Sequence, residues 1–197
     1  GGGGGGLPGG GGGGGARGPP PPAGKGRSTR PTSDRVRESL FAIIGQRVQG
    51  SRVLDLFAGC GSLGIEALSR GADMCVLVDC DRRACRVITH NLQTLGLEKQ
   101  ALVVCTDAVG SIRQTRGGVS ENAPYDLVFA DPPYALGIAE SLLLHIDNPQ
   151  LLAGDGVFVV EHSSRADWPA RFGRLEQARQ ERYGDSKISF YQFVAEG

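Results

Sequence analysis

The sequence predicts an α/β domain with a mostly parallel sheet of seven strands, helices on both faces and a C-terminal antiparallel hairpin. Short apolar runs alternate with helix-forming segments between residues 52 and 161, and such alternation implies right-handed crossovers between parallel strands. A glycine-rich turn follows the first of these runs, and a double proline ends the fourth. Both interruptions fall where parallel strands end, which is where open α/β sheets bind their ligands.

The elements follow in chain order. A hydroxyl N-cap at Thr32 or Ser33 predicts the start of a helix with one apolar stripe that ends near Gly45. Parallel strands are predicted at 52–57, 74–79, 101–105, 125–130 and 156–161, and helices at 63–70, 82–95, 108–114 and 138–146. The hairpin strands are predicted at 175–183 and 187–194. The first arm of this hairpin also has helix-like propensity, so its strand assignment is open.

The first 29 residues differ in composition from the rest of the chain. They contain no acidic residue and one large aliphatic residue, Leu7, among runs of glycine and proline. Such a segment cannot bury enough apolar surface to offset the entropy lost on ordering. We therefore expect a disordered leader over 1–29 and one folded domain over 30–197. Residues 1–50 carry seven Lys and Arg against two Asp and Glu, whereas the remainder carries 14 against 19, so the amino-terminal part is expected to face a polyanion.

The five cysteines, at positions 60, 75, 80, 85 and 105, form no C-x-x-C pair. Reduced thiols are therefore expected, and neither a zinc site nor a disulfide framework. No segment is apolar and long enough to span a membrane, and no apolar core of a signal peptide is visible. We expect a cytoplasmic protein that binds neither metal nor membrane, with a plastid or other organelle as the alternative location.

The glycine-rich turn predicts a nucleotide-type cofactor site. Gly59, Gly61 and Gly64 have the G-x-G-x-x-G spacing between a strand and a helix, and Asp79 lies 20 residues beyond Gly59. This arrangement suits a nicotinamide dinucleotide or S-adenosylmethionine, since both need close backbone approach and a carboxylate for ribose hydroxyls. A turn without a ligand is the third interpretation. Asp55 favours S-adenosylmethionine, because a carboxylate inside the first strand suits a sulfonium and an ammonium group better than a pyrophosphate.

The Asp-Pro-Pro-Tyr segment predicts the acceptor site. Proline disfavours helical backbone in the residue before it, so Asp131 is held extended at the end of the fourth strand. The Asp131 carboxylate and the Pro132 carbonyl can accept the two hydrogens of an NH2 group on a planar ring, and Tyr134 can stack on that ring. Pro133 completes the rigid turn. The alternative is a proline turn with a solvated aspartate and no substrate.

Both motifs carry a resemblance to known enzymes. Asp55-Leu-Phe-Ala-Gly-Cys-Gly together with Asp131-Pro-Pro-Tyr resembles the class I S-adenosylmethionine-dependent amino-methyltransferases, which have a Rossmann-like fold. More narrowly, Arg30-Pro-Thr-Ser-Asp-Arg-Val-Arg-Glu-Ser-Leu-Phe resembles the opening signature of the RsmD family, and the likeness extends to about residue 194. The resemblance implies methyl transfer to the exocyclic N2 of a guanine in 16S ribosomal RNA.

The resemblance also assigns roles by position. Asp131, Pro132, Pro133 and Tyr134 are the implied catalytic residues. The cofactor-binding residues that the resemblance implies are Asp55 and the backbone of Gly59 and Gly61 at the methionine end, Asp79 at the ribose, and Asp107 with Ala108 at the adenine. Phe57 is a further implied cofactor-binding residue. A helix N-cap is the alternative role for Asp107. Arg30, Arg35 and Arg37 are expected to contact RNA phosphates, with solvated arginines as the alternative.

Other function classes stay open on the sequence alone. A DNA adenine N6-methyltransferase uses the same four-residue motif, but it usually carries a separate target-recognition domain. A nicotinamide-dependent oxidoreductase explains the glycines and leaves Asp131 without a task, and an RNA-binding module without catalysis is the third rival. RsmD enzymes normally open with a short basic β-hairpin, where this chain has polyglycine and polyproline. We therefore expect weak binding to naked ribosomal RNA and better activity on a partly assembled small ribosomal subunit. The protein is expected to be a monomer.

Overall fold

The structure, a computed structural model, describes residues 33–195. Its strands are β1 (Arg52–Leu56), β2 (Met74–Asp79), β3 (Ala101–Cys105), β4 (Tyr125–Ala130), β5 (Leu152–Ser163), β6 (Arg171–Phe172), β7 (Leu175–Tyr183) and β8 (Ser186–Phe193). Its α-helices are α1 (Asp34–Ile44), α2 (Ser62–Ser69), α3 (Arg82–Thr94), α4 (Ala108–Arg113), α5 (Gly118–Glu121) and α6 (Ile138–Ile146), with 3₁₀ turns at Gly45–Val48 and Glu98–Gln100. The predicted leader over 1–29 and Arg30 lie outside the described residues.

The strands form one sheet in the order β3-β2-β1-β4-β5-β8-β7-β6. The neighbouring strands β3, β2, β1, β4 and β5 run parallel to one another, and the remaining pairs, β5–β8, β8–β7 and β7–β6, are antiparallel. This confirms the mostly parallel sheet with a C-terminal antiparallel hairpin. The predicted number of seven strands is wrong by one, because the sheet of residues 33–195 has eight. The extra strand, β6, pairs two residues with β7, and two residues are too few to produce a recognisable sequence pattern.

Helices cover both faces of the sheet, as predicted. Alternate residues of β1 point to opposite sides, so that Leu54 and Leu56 join one buried apolar cluster and Val53 joins the other. α1, α2 and α3 contribute buried side chains to the cluster of Val53, whereas α4, α5 and α6 contribute to the cluster of Leu54. Burial on both faces explains why the inner parallel strands β1, β2 and β4 are nearly continuous apolar runs in the sequence.

The first helix begins as the sequence predicts. Ser33 is the N-cap of α1, and its hydroxyl accepts a hydrogen bond from the Val36 amide at 3.3 Å. Thr32, the alternative cap, lies outside the described residues. The apolar stripe of α1 packs on the sheet through Leu40, Phe41 and Ile44, all of them buried.

The C-terminal hairpin settles the assignment that sequence propensity left open. The segment from Leu175 to Tyr183 is a strand and pairs with β8, with a register shift between Gln177 and Arg179. Pairing against a neighbouring strand decides the conformation here, because strand formation depends more on context than on intrinsic preference. The Ser39 and Tyr183 hydroxyl oxygens lie 2.6 Å apart in a hydrogen bond, which connects the hairpin to α1.

β5 is longer than predicted at both ends. It begins with Leu152, which pairs with Tyr125 of β4, and it continues to Ser163, which pairs with Ser186 of β8. Long-range pairing therefore extends a strand whose apolar core alone is visible in the sequence.

Among the described residues, no helix combines the length and the apolar character needed to cross a membrane.

Candidate active site

Three carboxylates converge at the centre of the sheet. Asp55 of β1 lies in register with Leu77 of β2 and Phe129 of β4, and Asp79 and Asp131 each follow those partners by two residues. The three side chains therefore sit at the carboxyl ends of adjacent parallel strands. In the sheet, β2 and β3 lie on one side of β1, and β4 and β5 lie on the other. The direction in which strands are added therefore reverses at β1. Open α/β sheets bind ligands in the crevice at such a switch point.

Asp55 is buried with one polar partner from the glycine turn's helix. Its side chain is 3% exposed, and its Oδ2 accepts a hydrogen bond from the Gly64 amide at 3.0 Å. Burial raises the pKa of the Asp55 carboxyl from 3.8 to about 7; the Gly64 hydrogen bond opposes this rise, and the charges of Asp131 and Asp79 add to it. A cation that binds beside Asp55 would offset the cost of the buried charge.

Gly64 permits this contact by letting α2 approach the sheet closely. A Cβ atom at Gly64 would lie 2.8 Å from Cys75 Sγ, 2.8 Å from Leu77 Cδ2 and 3.1 Å from Asp55 Oδ2. Carbon atoms normally pack at about 3.5–4.0 Å, so no larger residue fits without displacing its neighbours. The third glycine of the G-x-G-x-x-G spacing therefore serves helix–strand packing, as the motif predicts.

The turn between β1 and α2 adopts backbone conformations that side chains disfavour. Phe57 has a φ of 56°, and in the described residues it is the one non-glycine residue with a positive φ. Gly59 and Gly61 follow with φ values of 62° and 82°, and Gly61 is the N-cap of α2. A left-handed conformation at an aromatic residue costs on the order of 1–3 kcal/mol and is typical of ligand sites. The predicted residues at 57, 59 and 61 thus form one tight turn beside Asp55.

Asp79 holds the glycine turn against β2. The side chain is fully buried, and its carboxylate accepts hydrogen bonds from the Gly59 amide at 2.8 Å and from the Asp81 amide at 2.9 Å. The structure therefore places the predicted ribose-binding carboxylate behind the turn and not on an open surface. It fixes the turn's position, a role that the sequence reasoning did not assign.

Asp107 and Ala108 lie next to Asp79 in the fold. The Thr106 amide donates to the Asp79 carbonyl at 3.0 Å, which brings the end of β3 to the end of β2. Asp107 is exposed and is the N-cap of α4, with its Oδ2 accepting from the Gly110 amide at 2.8 Å. The N-cap role considered for Asp107 is confirmed, and Ala108 is buried behind it at 2% exposure.

The Asp-Pro-Pro-Tyr segment follows β4 and faces away from the core. Asp131, Pro132 and Pro133 are half-buried, whereas Tyr134 is 87% exposed and Leu136 is fully exposed. The segment ends at Gly137, the N-cap of α6, which has a φ of 77°. The Asp131 carboxylate and the Pro132 carbonyl thus lie in one short segment with two largely exposed apolar side chains, those of Tyr134 and Leu136. This composition suits a planar heteroaromatic substrate with an amino group.

The arginines of α1 divide between two environments. Arg35 is exposed on the helix surface, as expected for a phosphate contact or a solvated side chain. Arg37 forms an ion pair with Asp34 at 2.8 Å and lines a groove of about 350 Å³ beside the glycine turn. The other lining residues of this groove are Cys60, Ser62, Ile65, Asn91, Thr94 and Leu95. The structure therefore places Arg37 beside the glycine turn, whereas the sequence predicted a contact with RNA phosphates or with solvent.

Two supporting residues escaped the sequence reasoning. Asn91 of α3 donates from Nδ2 to the Cys60 carbonyl at 3.3 Å and so braces the glycine turn from a helix 31 residues away. His162 at the end of β5 lies 2.7 Å from the Ser189 hydroxyl through Nε2 and stacks on Trp168 at 5.4 Å. Burial lowers the pKa of His162 below its usual 6.5, which keeps this ring neutral inside the C-terminal packing. No local pattern marks such long-range partners.

The arrangement can bind a cation and an amine together. The negative charges of Asp55, Asp79 and Asp131 create a field that attracts a positively charged ligand into the crevice. The residues 33–195 contain no group of three or more His, Cys, Asp or Glu side chains placed to hold a metal ion. A crevice that attracts a cation beside a segment that can hold an amine suits group transfer between two bound organic molecules, aligned by the two motifs.

Comparisons with known proteins agree with this geometry. The family model described as "Conserved hypothetical protein 95" matches residues 12–192. The protein YlbH of Bacillus subtilis (strain 168) is 43% identical over 166 residues, which cover 84% of this chain and 89% of that protein. Ribosomal RNA small subunit methyltransferase D of Escherichia coli (strain K12) is 33% identical over 168 residues, or 85% of this chain and 81% of that protein. The solved structure of yhhF from Escherichia coli superposes with a TM-score of 0.73 at 33% identity, over 85% of this chain and 89% of that one.

Proposed function

This chain belongs to the family described as Conserved hypothetical protein 95, and from that premise we propose that it transfers a methyl group from S-adenosylmethionine to the N2 amine of a guanine in small-subunit ribosomal RNA. The substrate class is that in the name of its relative, Ribosomal RNA small subunit methyltransferase D. One observation carries the proposal: the acceptor segment at Asp131 adjoins a cation-attracting carboxylate, Asp55, at the switch point of the sheet.

S-adenosylmethionine supplies a methyl group on a sulfonium when it is bound. We propose that Asp55 and the turn at Gly59 and Gly61 hold its methionine end, with Phe57 fixing the turn. Asp79 takes the ribose hydroxyls through the lone pairs that its bonds to the Gly59 and Asp81 amides leave over, since an ionised carboxylate can accept about four hydrogen bonds. Asp107 with the Ala108 amide recognises the adenine edge. The buried Asp55 supports this assignment, because a cationic ligand offsets the unfavourable burial of its charge.

The residues of the acceptor segment align the amine. An exocyclic amine on guanine is a weak nucleophile because its lone pair is delocalised into the ring. When the Asp131 carboxylate and the Pro132 carbonyl accept its two hydrogens, the nitrogen becomes pyramidal and its lone pair points towards the methyl group. Pro133 keeps this backbone rigid, and the exposed Tyr134 stacks on the base, which leaves its own helix to reach the site. Alignment and electrostatic stabilisation of the positive charge developing on nitrogen supply the rate enhancement.

RNA binding is proposed at α1 and at the exposed side chains of the acceptor segment. Arg35 and Arg37 of α1, together with Arg30, supply cations for phosphate contacts, so affinity should fall as salt rises. Leu136, fully exposed beside Tyr134, adds apolar surface for a base. We propose that the protein acts as a cytoplasmic monomer and prefers a partly assembled small ribosomal subunit to naked RNA.

The decisive experiment separates catalysis from cofactor binding. In Asp131→Ala the methyl-transfer rate on small-subunit ribosomal RNA should fall by at least about 100-fold, since an amine-orienting acceptor is lost. The dissociation constant of S-adenosylmethionine should stay within a few-fold, because Asp131 faces the acceptor and not the ribose. Asp155→Ala is the matched control: it removes an exposed carboxylate on β5 and should leave both quantities unchanged.

Two results would contradict the proposal. If Asp131→Ala keeps most of its methyl-transfer rate, Asp131 is a turn residue without a catalytic task. The products from ribosomal RNA, assembled subunits and duplex DNA should also be digested and analysed as nucleosides. N2-methylguanine from ribosomal RNA is expected, and N6-methyladenine in DNA as the main product would assign the chain to the rival class.

A further inference from the structure

A pair of thiols lies on the far side of the predicted ribose-binding carboxylate. Cys85 of α3 and Cys105 of β3 both line an open groove of about 470 Å³ between that helix and the edge strand. The other lining residues of this groove, which we call the thiol groove, are Arg86, Thr89, His90, Gln93 and Val103. None of them belongs to the two motifs of the proposed active site.

The two side chains are neighbours in this groove. Interaction with the Cys105 side chain adds to the burial that raises the pKa of the Cys85 thiol. Cys85 is buried and donates to the Asp79 carbonyl at 3.4 Å. Cys105 is exposed, lies in register with Asp79 in the sheet and points its Sγ to the Cys80 carbonyl at 4.0 Å. Both thiols thus contact the short segment at the end of β2 that carries the Asp79 carboxylate.

We propose that Cys85 and Cys105 are a redox-sensitive site, which closes to a disulfide by exchange with a low-molecular-weight disulfide and thereby weakens cofactor binding at Asp79. Two neighbouring thiols that line one groove and approach the carbonyls of adjacent residues, Asp79 and Cys80, need little backbone movement to reach the S–S distance of about 2.05 Å. The groove admits a small reagent, because it is open to solvent on the side of Cys105.

The exchange balances in two steps. The exposed Cys105 thiolate attacks one sulfur of the low-molecular-weight disulfide, forming a mixed disulfide and releasing the first thiolate. The Cys85 sulfur, after losing its proton to water, attacks the Cys105 sulfur and releases the second thiolate. Two protein thiols have then lost two electrons, and two small thiols have gained them together with the two protons. Cys105 acts first because burial raises the pKa of the Cys85 thiol to about 12, which leaves little thiolate to start the reaction.

The effect on the cofactor follows from the shared contact with Asp79 and rests on the proposed cofactor site. A disulfide removes the S–H group that donates to the Asp79 carbonyl, and it draws the Cys85 sulfur towards β3. Cofactor binding to the oxidised protein must then return the Asp79 segment to its position without this hydrogen bond, and a cost of about one hydrogen bond predicts binding weaker by about tenfold. Because linkage is reciprocal, saturating cofactor should make the disulfide easier to reduce by the same factor, a rise of about 30 mV in its reduction potential.

The experiment uses the full chain in buffers with defined ratios of reduced and oxidised glutathione. Alkylation followed by peptide mass analysis maps the bonds, and calorimetry measures S-adenosylmethionine binding to the reduced and oxidised proteins. We expect a bond between Cys85 and Cys105 and an affinity about tenfold lower in the oxidised form, restored by reductant. Cys105→Ser should abolish both effects and should leave the fold intact, since Cys105 is exposed. Cys80→Ser should retain both the disulfide and its effect on affinity, because Cys105 contacts the backbone carbonyl of Cys80 and not its side chain.

Three outcomes would overturn the inference. Stable glutathione adducts on Cys105 without a Cys85–Cys105 bond would show that Cys85 does not resolve the mixed disulfide. A bond between Cys80 and Cys105 would identify the wrong pair. Equal cofactor affinity in the oxidised and reduced proteins would remove the link to Asp79. A reduced protein that fails to bind S-adenosylmethionine would instead contradict the proposed function, and the bond map would still decide whether the redox site exists.

Discussion

Asp55 should make cofactor binding depend on pH near neutrality. In the free protein the pKa of Asp55 is about 7, because burial disfavours its charge. The sulfonium and ammonium groups of S-adenosylmethionine favour the charged carboxylate, so binding should lower this pKa and release a proton. With a pKa of about 7, the fraction of ionised Asp55 falls from about nine-tenths at pH 8 to about one-tenth at pH 6. The affinity should therefore fall about tenfold between those values, or about 1.4 kcal/mol.

Calorimetry in buffers with different ionisation enthalpies measures the proton release directly. At pH 6 nearly one proton should leave for each cofactor bound, and at pH 8 almost none. Asp55→Asn, titrated over the same range, should bind more weakly at pH 8, and its remaining pH dependence belongs to the ammonium group of the cofactor itself. A wild-type affinity with the same pH profile as Asp55→Asn would refute the assignment of Asp55 to the cationic end of the cofactor.

The buried Asp55 carboxyl should favour cofactor binding and at the same time lower the stability of the folded protein at high pH. Its pKa in the folded protein is raised above the ordinary 3.8, so its stabilising contribution is complete below about pH 4 and is lost as pH rises through about 7. The gap between 3.8 and about 7 corresponds to about 4 kcal/mol at pH 8. Asp55→Asn should therefore raise the free energy of unfolding at pH 8, by an amount below this bound because the Gly64 hydrogen bond weakens.

Two further substitutions test the packing that positions the site. Gly64→Ala should lower the free energy of unfolding by about 1–2 kcal/mol, because overpacking against Cys75 and Leu77 exceeds the gain in helix propensity. Denaturant titration measures the change. The control is Gly154→Ala, where an added Cβ meets nothing within 4 Å, and it should change stability by less than about 0.5 kcal/mol. Tyr183→Phe should cost about 1 kcal/mol by removing the hydrogen bond to Ser39, and an unchanged midpoint would show that this bond does not fix the hairpin to α1.

The parallel half of the fold could be predicted from local pattern. The boundaries of β2, β3, β4 and α6 match the predicted segments residue for residue. β2 and β4 are buried on both faces, so they are uninterrupted apolar runs, and an Asp lies at the end of each. β6 and α5 were missed, since elements of two and four residues contain only about one period of their pattern, too little to be recognised. The first hairpin arm stayed open because its polar sequence takes its conformation from β8.

The sequence by itself determined the chemistry of the candidate site: which strand ends carry carboxylates, which turn needs glycine, and which segment can hold an amine. These features are local, since each depends on residues within a few positions of one another. The tertiary structure alone decided how the residues meet. It placed Asp79 behind the glycine turn as its anchor, moved Arg37 to the cofactor side, and brought Cys85 to Cys105. Burial, charge coupling and contact between distant segments arise from packing in three dimensions, and no spacing along the chain encodes them.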